Sequence, residues 1–150
     1  MRAPRFWGRT PPSLLAHLLR PVGALYGGIA ASRMRRAGSG AGVPVLCSGN
    51  FTAGGAGKTP TALAVAEILT GAGEHPAFLS RGYGGHLEGP VRVQTEHRAA
   101  DVGDEPLLLA RKAPAIVSRD RPAGAQLAVE TGASAIVMDD GLQNPSLVKD

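Results

Sequence analysis

The chain has 150 residues, enough for one ordinary domain, and its single cysteine, Cys47, excludes an internal disulfide and a cysteine-based zinc site. This cysteine usage agrees with a reduced, cytosolic compartment, and we interpret Cys47 as a buried strand residue. The net charge of +4 is uneven, because residues 1–36 carry seven arginines and no acid, whereas the remainder carries nine basic and twelve acidic residues. This distribution argues against a nucleic-acid-binding domain and favours contact with an anionic membrane surface.

The N-terminal segment, residues 1–36, is apolar as well as basic. From Pro11 onwards its apolar residues recur at roughly helical spacing, but His17, Arg20 and Pro21 interrupt them. We do not expect a clean membrane span, which needs about 20 mostly apolar residues, and Pro21 should break or kink a helix. The arginines that follow disfavour a secretory signal peptide. Two interpretations stay open: an interfacial helix on a membrane, or an amphipathic helix packed on its own domain.

The stretch GNFTAGGAGKTP predicts a phosphate-binding loop, because an apolar strand at 43–50 leads into it and a helix at 59–73 follows. Its glycines let the backbone approach phosphate oxygens, and the helix start adds its positive dipole end. Lys58 can reach the β- and γ-phosphates, and Thr59 can offer its hydroxyl to Mg²⁺. Thr52 stands where the usual pattern has glycine, so the loop is a variant. The alternative is a glycine-rich turn that ends in Gly-Lys-Thr by chance.

Further apolar runs alternate with helical stretches along the rest of the chain, which is typical of a parallel sheet with crossover helices. The predicted strands are 77–80, 115–118 and 135–138, and the predicted helices are 105–112 and 122–131. The predicted fold class is therefore α/β and P-loop NTPase-like, with a mostly parallel sheet flanked by helices. Ligands bind beyond the carboxyl ends of such strands. Polar segments follow each strand there, at 50–59, 80–85, 118–121 and 139–144, which predicts a shared site.

Acidic residues in two of these regions are candidates for chemistry. Asp139 and Asp140 follow an apolar strand, as in a Walker-B motif, where a carboxylate holds Mg²⁺ directly or through water. A simple Asp-Asp-Gly turn is the alternative. Asp104 is a candidate general base. The alternative there is that Asp104 or Glu105 caps the helix.

The segment SRGYGG and the nearby arginines are candidates for binding substrate. Arg81 is a candidate phosphate partner, and Tyr83 could stack on a ring or contact a sugar, in a loop that its glycines make tight or mobile. Arg119 and Arg121 could pair with an acidic lipid or with ATP. Each arginine could equally be an ordinary surface residue.

Taken together, the stretches GNFTAGGAGKTP, SRGYGG, GDEPLLLA and DDGLQNPSL resemble the tetraacyldisaccharide 4′-kinase family, the lipid A 4′-kinases, in order and spacing. The family also carries threonine at the position of Thr52. The resemblance covers residues 43–150 and, more loosely, the N-terminal segment. It implies transfer of the γ-phosphate of ATP to the 4′-hydroxyl of tetraacyldisaccharide 1-phosphate, giving lipid IVA. It also implies a location at the cytoplasmic face of the bacterial inner membrane and favours the interfacial helix.

The resemblance implies roles for individual residues and partners. It assigns ATP binding to Thr52, Ala53, Gly54, Gly55, Ala56, Gly57, Lys58 and Thr59, Mg²⁺ to Thr59, Asp139 and Asp140, catalysis to Asp104 and Lys58, and substrate binding to Asn50, Arg81, Tyr83 and Arg121. The implied partners are the lipid A disaccharide precursor and an anionic membrane surface. No nucleic acid and no obligate protein partner is expected.

Two departures from the family matter. Asn144 stands where many members have histidine, so no acid–base role is expected at that position. The family's enzymes are considerably longer and include a C-terminal domain whose histidine partners the catalytic aspartate. We therefore expect an N-terminal portion, with a basic apolar helix at 1–36 and a P-loop kinase domain at 37–150. Such a portion should bind nucleotide but catalyse weakly or not at all.

Two other function classes fit less well. A partitioning ATPase would usually carry a signature lysine where this chain has Ala53. A metal-insertion GTPase would favour His/Cys clusters, whereas the four histidines are scattered and no Asn-Lys-x-Asp motif is present. A non-catalytic membrane-binding module does not explain the phosphate loop.

Overall fold

A computed structural model describes residues 13–35, 37–49, 57–139 and 141–150 of the chain. Within these residues lie the helices α1 (Leu14–Met34), α2 (Lys58–Gly71), α3 (Ala99–Val102), α4 (Asp104–Leu109) and α5 (Arg121–Glu130). The strands are β1 (Val45–Ser48), β2 (Pro76–Ser80), β3 (Val91–Arg92), β4 (Ala115–Val117) and β5 (Ala135–Asp139).

The strands form one sheet in the order β1-β5-β2-β4-β3. The first four of these strands are parallel, and β3 runs antiparallel to β4. The central strands β2 and β5 are buried along their whole length, which explains why their sequences are almost continuously apolar. A mostly parallel sheet flanked by helices confirms the predicted α/β class.

Helices cover both faces of the sheet, and the alternation of side chains along each strand divides the core into two clusters. On one face, Phe78 of β2 is buried in a cluster with Ala62 of α2 and Leu109 of α4. On the other face, Leu79 is buried with Ala125 of α5. Burying a large apolar side chain contributes about 1.5–3 kcal/mol. These two layers hold the carboxyl ends of the parallel strands at one edge, where the polar segments lie.

Most predicted elements occur with small shifts in their ends. The helix predicted at 105–112 is α4, which ends earlier, at Leu109. The strand predicted at 43–50 is β1, and it is an edge strand, so Cys47 is half-buried rather than buried. Neither β3 nor α3 was predicted, because a two-residue strand and a single helical turn are too short to show a period.

Helix α1 differs from the sequence prediction in two respects. It continues through Pro21, so the predicted break does not occur. Although the proline cannot donate a backbone hydrogen bond, Leu14–Met34 forms one helix. Its segment Leu14–Ser32 has a mean hydropathy of 1.3 and is long and apolar enough to cross a membrane, a test that core helices and signal sequences also pass. None of that segment is buried against the described parts of the domain, so the described residues give no support to the packed-helix interpretation.

The segment 146–150 runs along the outer edge of β1. Ser39 and Leu147 form a parallel bridge, and the Asp150 N–H donates to the Val45 carbonyl at 3.0 Å. The Val45 N–H in turn donates to the Asp150 Oδ2 at 2.9 Å. Leu147 is buried in the same cluster as α5. These contacts join residues about one hundred positions apart and cover an edge that would otherwise expose backbone groups.

Candidate active site

Buried polar side chains lie at the carboxyl edge of the sheet. Ser80 and Asp139 are the last residues of β2 and β5, and Ser118 follows β4 directly. All three are buried. The strand order therefore brings the polar segments of the sequence to one edge, as the positions of the predicted strands indicate.

Helix α2 begins at this edge, at the end of the glycine-rich stretch. Gly57 immediately precedes the helix with a φ of 77°, in the left-handed region that glycine adopts without strain. The Ser48 Oγ at the end of β1 donates to the carbonyl of Lys58 at 3.1 Å. This bond fixes the first turn of α2 against the strand, so the helix start, with its partial positive charge, lies at the carboxyl edge.

A hydrogen bond joins the start of α2 to the end of β5. The Thr59 Oγ1 donates to Asp139 Oδ2 at 2.9 Å. Asp139 is 3% exposed, so its carboxylate is buried at the carboxyl edge of the sheet rather than in solvent. The pair places a hydroxyl and a carboxylate oxygen together although 80 residues separate them in the chain.

Oxygen ligands of this kind suit Mg²⁺. Among the residues that the structure describes, no three His, Cys, Asp or Glu side chains come together to hold a metal ion by themselves. Mg²⁺ usually takes one or two protein carboxylates and completes its shell with water and substrate phosphates. Thr59 and Asp139 therefore fit a Mg²⁺ site that is completed by a nucleotide.

A cleft of about 720 Å³ opens beside Asp139. Its lining is strongly polar: Ser80, Arg81, Tyr83, Glu105, Arg119, Arg121, Asp139, Gln143, Asn144 and Pro145. Its three arginines give it a positive character that suits phosphate groups.

The arginines of the cleft differ in how firmly they are held. Arg121 is only 3% exposed, and its Nη1 lies 3.4 Å from the carbonyl of Ser118, to which it donates. Arg119 is half-exposed and donates to Glu88 at 2.5 Å. Arg81 is exposed, and Tyr83 is 86% exposed. Arg121 is held in place at the base of the cleft, whereas Arg81, Arg119 and Tyr83 are long, more exposed side chains at its rim. This arrangement suits a ligand that enters from solvent.

The comparisons with known proteins agree with this geometry. The family model LpxK, described as tetraacyldisaccharide-1-P 4′-kinase, matches residues 15–150. The chain belongs to the tetraacyldisaccharide 4′-kinase family.

Relatives of the family cover the chain throughout. A tetraacyldisaccharide 4′-kinase of Methylobacterium sp. (strain 4-46) is 68% identical over all of this chain and 46% of its own length. One from Rhodopseudomonas palustris (strain BisB18) is 64% identical over all of this chain and 44% of its own length. The chain therefore spans less than half the length of these curated relatives.

A solved structure of the family has the same fold. It is the crystal structure of the "apo" form of LpxK from Aquifex aeolicus in complex with ATP. It superposes with a TM-score of 0.78 at 29% identity, covering 91% of this chain and 47% of that one. A P-loop kinase fold for this part of the 4′-kinase family is thus established.

Asp104, predicted as a general base, is exposed in the first turn of α4. Its Oδ1 accepts the N–H of Glu105 at 3.0 Å, and Glu105 lines the cleft. The capping alternative is wrong, because Gly103 occupies the N-cap of α4 and Asp104 is already inside the helix. Asp104 thus lies beside the cleft wall with its carboxylate open to solvent.

The remaining predicted site residues lie outside the described part of the chain. They are Asn50, Thr52, Ala53, Gly54, Gly55, Ala56 and Asp140. Their assigned roles stay predictions.

Sequence reasoning gave no role to several residues that line the cleft. Gln143, Asn144 and Pro145 belong to the family motif DDGLQNPSL, and that motif was the available signal for them. Asn144 is held by local bonds, since its Oδ1 accepts the N–H of Ser146 at 2.9 Å. With the oxygen engaged in this turn, the amide nitrogen is the polar atom that Asn144 can offer to the cleft.

Proposed function

We propose that the complete protein transfers the γ-phosphate of ATP to the 4′-hydroxyl of tetraacyldisaccharide 1-phosphate, forming lipid IVA in lipid A biosynthesis. The hydrogen bond between Thr59 and Asp139 carries the proposal, because it unites the phosphate loop with a Walker-B carboxylate beside a basic cleft. That arrangement is the one that P-loop enzymes use for phosphoryl transfer. The names of the relatives supply the acceptor.

ATP would lie along the glycine-rich loop, residues 52–59. Lys58 follows Gly57 at the start of α2, where its ammonium can pair with the β- and γ-phosphates. Thr59 and Asp139, with Asp140, would hold Mg²⁺, which supplies positive charge against the phosphate oxygens. The buried position of Asp139 keeps this carboxylate fixed while the nucleotide exchanges.

The acceptor would occupy the cleft with its sugar near Tyr83 and its 1-phosphate near the arginines. Arg81 and Arg121 can neutralise an acidic substrate, and Arg121 is already fixed by burial. Asp104 would take the proton from the 4′-hydroxyl as that oxygen attacks the γ-phosphate. Asn50 would contact the substrate from the phosphate-loop side.

Helix α1 would lie against the cytoplasmic face of the bacterial inner membrane, where the lipid substrate is found. Its leucines are exposed, with Leu14 at 79% and Leu18 at 68%. Seven arginines within residues 1–36 favour anionic lipid headgroups. The helix would thus hold the domain, residues 37–150, close to a substrate that does not leave the membrane.

The test is phosphorylation of tetraacyldisaccharide 1-phosphate by the complete protein with ATP and Mg²⁺. We expect the 4′-phosphorylated product, and we expect Lys58→Ala to reduce kcat by at least about 10²–10³-fold, the cost of losing one preorganised charge at a transition state. A folded Lys58→Ala protein with parental activity would contradict the site. ATP hydrolysis without any lipid product would favour the nucleotide-switch alternative instead.

A further inference from the structure

The loop that follows β2 packs directly on the segment that precedes α4. The His86 N–H donates to the carbonyl of Ala100 at 3.0 Å, and the Leu87 N–H donates to the carbonyl of Asp101 at 2.9 Å. These backbone bonds join two stretches that adjoin the cleft, since the first contains the cleft residue Tyr83 and the second is followed by the cleft residue Glu105. We call this contact, between residues 82–87 and 98–103, the glycine clamp.

Two glycines allow this close approach. A Cβ on Gly85 would lie 2.6 Å from the carbonyl oxygen of Asp101 and 2.7 Å from the nitrogen of Gly103. A Cβ on Gly103 would lie 2.6 Å from the carbonyl oxygen of Tyr83. All of these neighbours are backbone atoms, which cannot rotate away as a side chain can. Any side chain at Gly85 therefore forces the two segments apart.

Side-chain bonds strengthen the same contact. His86 Nδ1 lies 2.8 Å from the carbonyl of Ala100, so the ring donates a second bond to that oxygen. Asp101 Oδ2 accepts the N–H of Arg98 at 2.7 Å, which closes the turn that begins α3. Asp101 Oδ1 lies 3.7 Å from the same His86 nitrogen. The end of the loop, residues 85–87, is therefore held tightly against α3.

Both halves of the clamp continue into candidate site residues. Arg81 and Tyr83 belong to the loop, and Asp104 directly follows Gly103. Asp104 is exposed and its carboxylate bonds to the N–H of its own neighbour, Glu105. Its position relative to Tyr83 is therefore set through Gly103, where a Cβ would collide with the Tyr83 carbonyl oxygen.

We propose that Gly85 and Gly103 are positioning residues that fix Asp104 relative to Arg81 and Tyr83. This inference rests on the proposed function, in which Asp104 is the base and the other two contact the acceptor. Separating the segments would move the base from the acceptor hydroxyl without touching the phosphate loop. A displacement of about 1 Å between a catalytic group and the atom on which it acts can lower the rate roughly 10²-fold.

Gly85→Ala in the complete protein tests the proposal, with Gly84→Ala as the matched control. Gly84 belongs to the same loop and has a φ of +84°, but a Cβ there meets nothing within 4 Å. The control thus introduces backbone strain without pushing on residues 101–103. We expect kcat to fall about 10–100-fold for Gly85→Ala, with unchanged affinity for ATP, and to stay near the parental value for Gly84→Ala.

A second background separates positioning from general stability. When Asp104→Asn is already present, Gly85→Ala should cost little further kcat, because residues that act as one unit are not additive. A purely structural defect would lower kcat by the same factor in both backgrounds. Equal kcat for Gly85→Ala and Gly84→Ala, or full additivity with Asp104→Asn, would overturn the proposal.

Two further outcomes are a Gly85→Ala variant that does not fold and a parent protein that does not phosphorylate the lipid. If Gly85→Ala fails to bind ATP because it does not fold, His86→Ala decides, since it removes one hydrogen bond from an exposed ring. We expect its kcat to fall about two- to tenfold at unchanged ATP affinity, and parental kcat would overturn the proposal. Absence of lipid phosphorylation in the parent protein would instead contradict the proposed function.

Discussion

The two walls of the proposed site are held together by different kinds of atoms. The proposed nucleotide wall, formed by the start of α2 and the end of β5, is joined by side chains, through the bond from Thr59 to Asp139. The proposed acceptor wall, formed by residues 81–89 and the start of α4, is joined by backbone atoms that meet at Gly85 and Gly103. The nucleotide wall is therefore sensitive to the loss of a functional group. The acceptor wall is sensitive to the gain of a methyl group.

Asp104→Asn tests the acceptor wall and has the largest expected effect in this series. The amide cannot take a proton, so kcat should fall about 10²–10⁴-fold, the usual contribution of a general base. Affinity for ATP should not change, because Asp104 belongs to the proposed acceptor wall and not to the phosphate loop. Steady-state kinetics together with nucleotide titration check both parts. A loss of less than about tenfold would move the base elsewhere, and Glu105, which lines the cleft, would be examined next.

Asp139→Asn tests the nucleotide wall. Replacing the buried carboxylate removes one charge from the proposed Mg²⁺ site, and kcat should fall about 10²–10³-fold. The Mg²⁺ concentration needed for half-maximal rate should rise. Thr59→Ser is the matched control, because it keeps the hydroxyl that donates to Asp139. An unchanged Mg²⁺ requirement in Asp139→Asn would show that Asp139 does not bind the metal ion.

Arg121→Gln tests whether this arginine of the cleft binds the lipid acceptor or ATP. Loss of a charged hydrogen bond should raise KM for the lipid acceptor about tenfold or more, with a smaller effect on KM for ATP. Arg119→Gln is the control, because that side chain is half-exposed and already paired with Glu88. If KM for ATP rises instead, Arg121 belongs to the nucleotide wall, and its assignment to acceptor binding is wrong.

Removal of residues 1–36 has the smallest expected effect on the chemistry, because α1 contributes no residue to the lining of the cleft. We expect unchanged kcat toward an acceptor dispersed in detergent. Co-sedimentation with vesicles that contain anionic lipid should fall sharply. Equal sedimentation with and without the segment would contradict a membrane role for α1.

The sequence predicted the placement of Thr59 and Asp139 better than the contact between Gly85 and Gly103. Lys58, Thr59 and Asp139 lie at the ends of apolar elements, so their positions follow from the predicted helix and strand, while their roles stay predictions. The glycine clamp depends on contacts between segments that are distant in the chain, and glycine patterns alone do not show which backbone they face. The short elements β3 and α3 were missed for a related reason, since tertiary contacts rather than periodicity define them.

Helix α1 shows a different limit. Pro21 predicts a break from local chemistry, yet the helix continues through it, because one lost hydrogen bond does not outweigh the bonds on either side. Its leucines are exposed among the described residues, which favours the interfacial alternative. Hydrophobic spacing identified the helix, but spacing is the same whether the apolar surface faces a protein core or a lipid.

The strand order has a consequence for the way the protein is made. β1 is the first of the described strands in the chain, but in the sheet it pairs with β5, the last of them. A growing chain emerges from its N-terminus, so the apolar helix α1 is available long before Asp139 reaches Thr59. Such distant pairings form slowly compared with local ones. The apolar helix α1 can therefore be exposed before Thr59 and Asp139 come together, and the pair forms only when the whole stretch from β1 to β5 has been made.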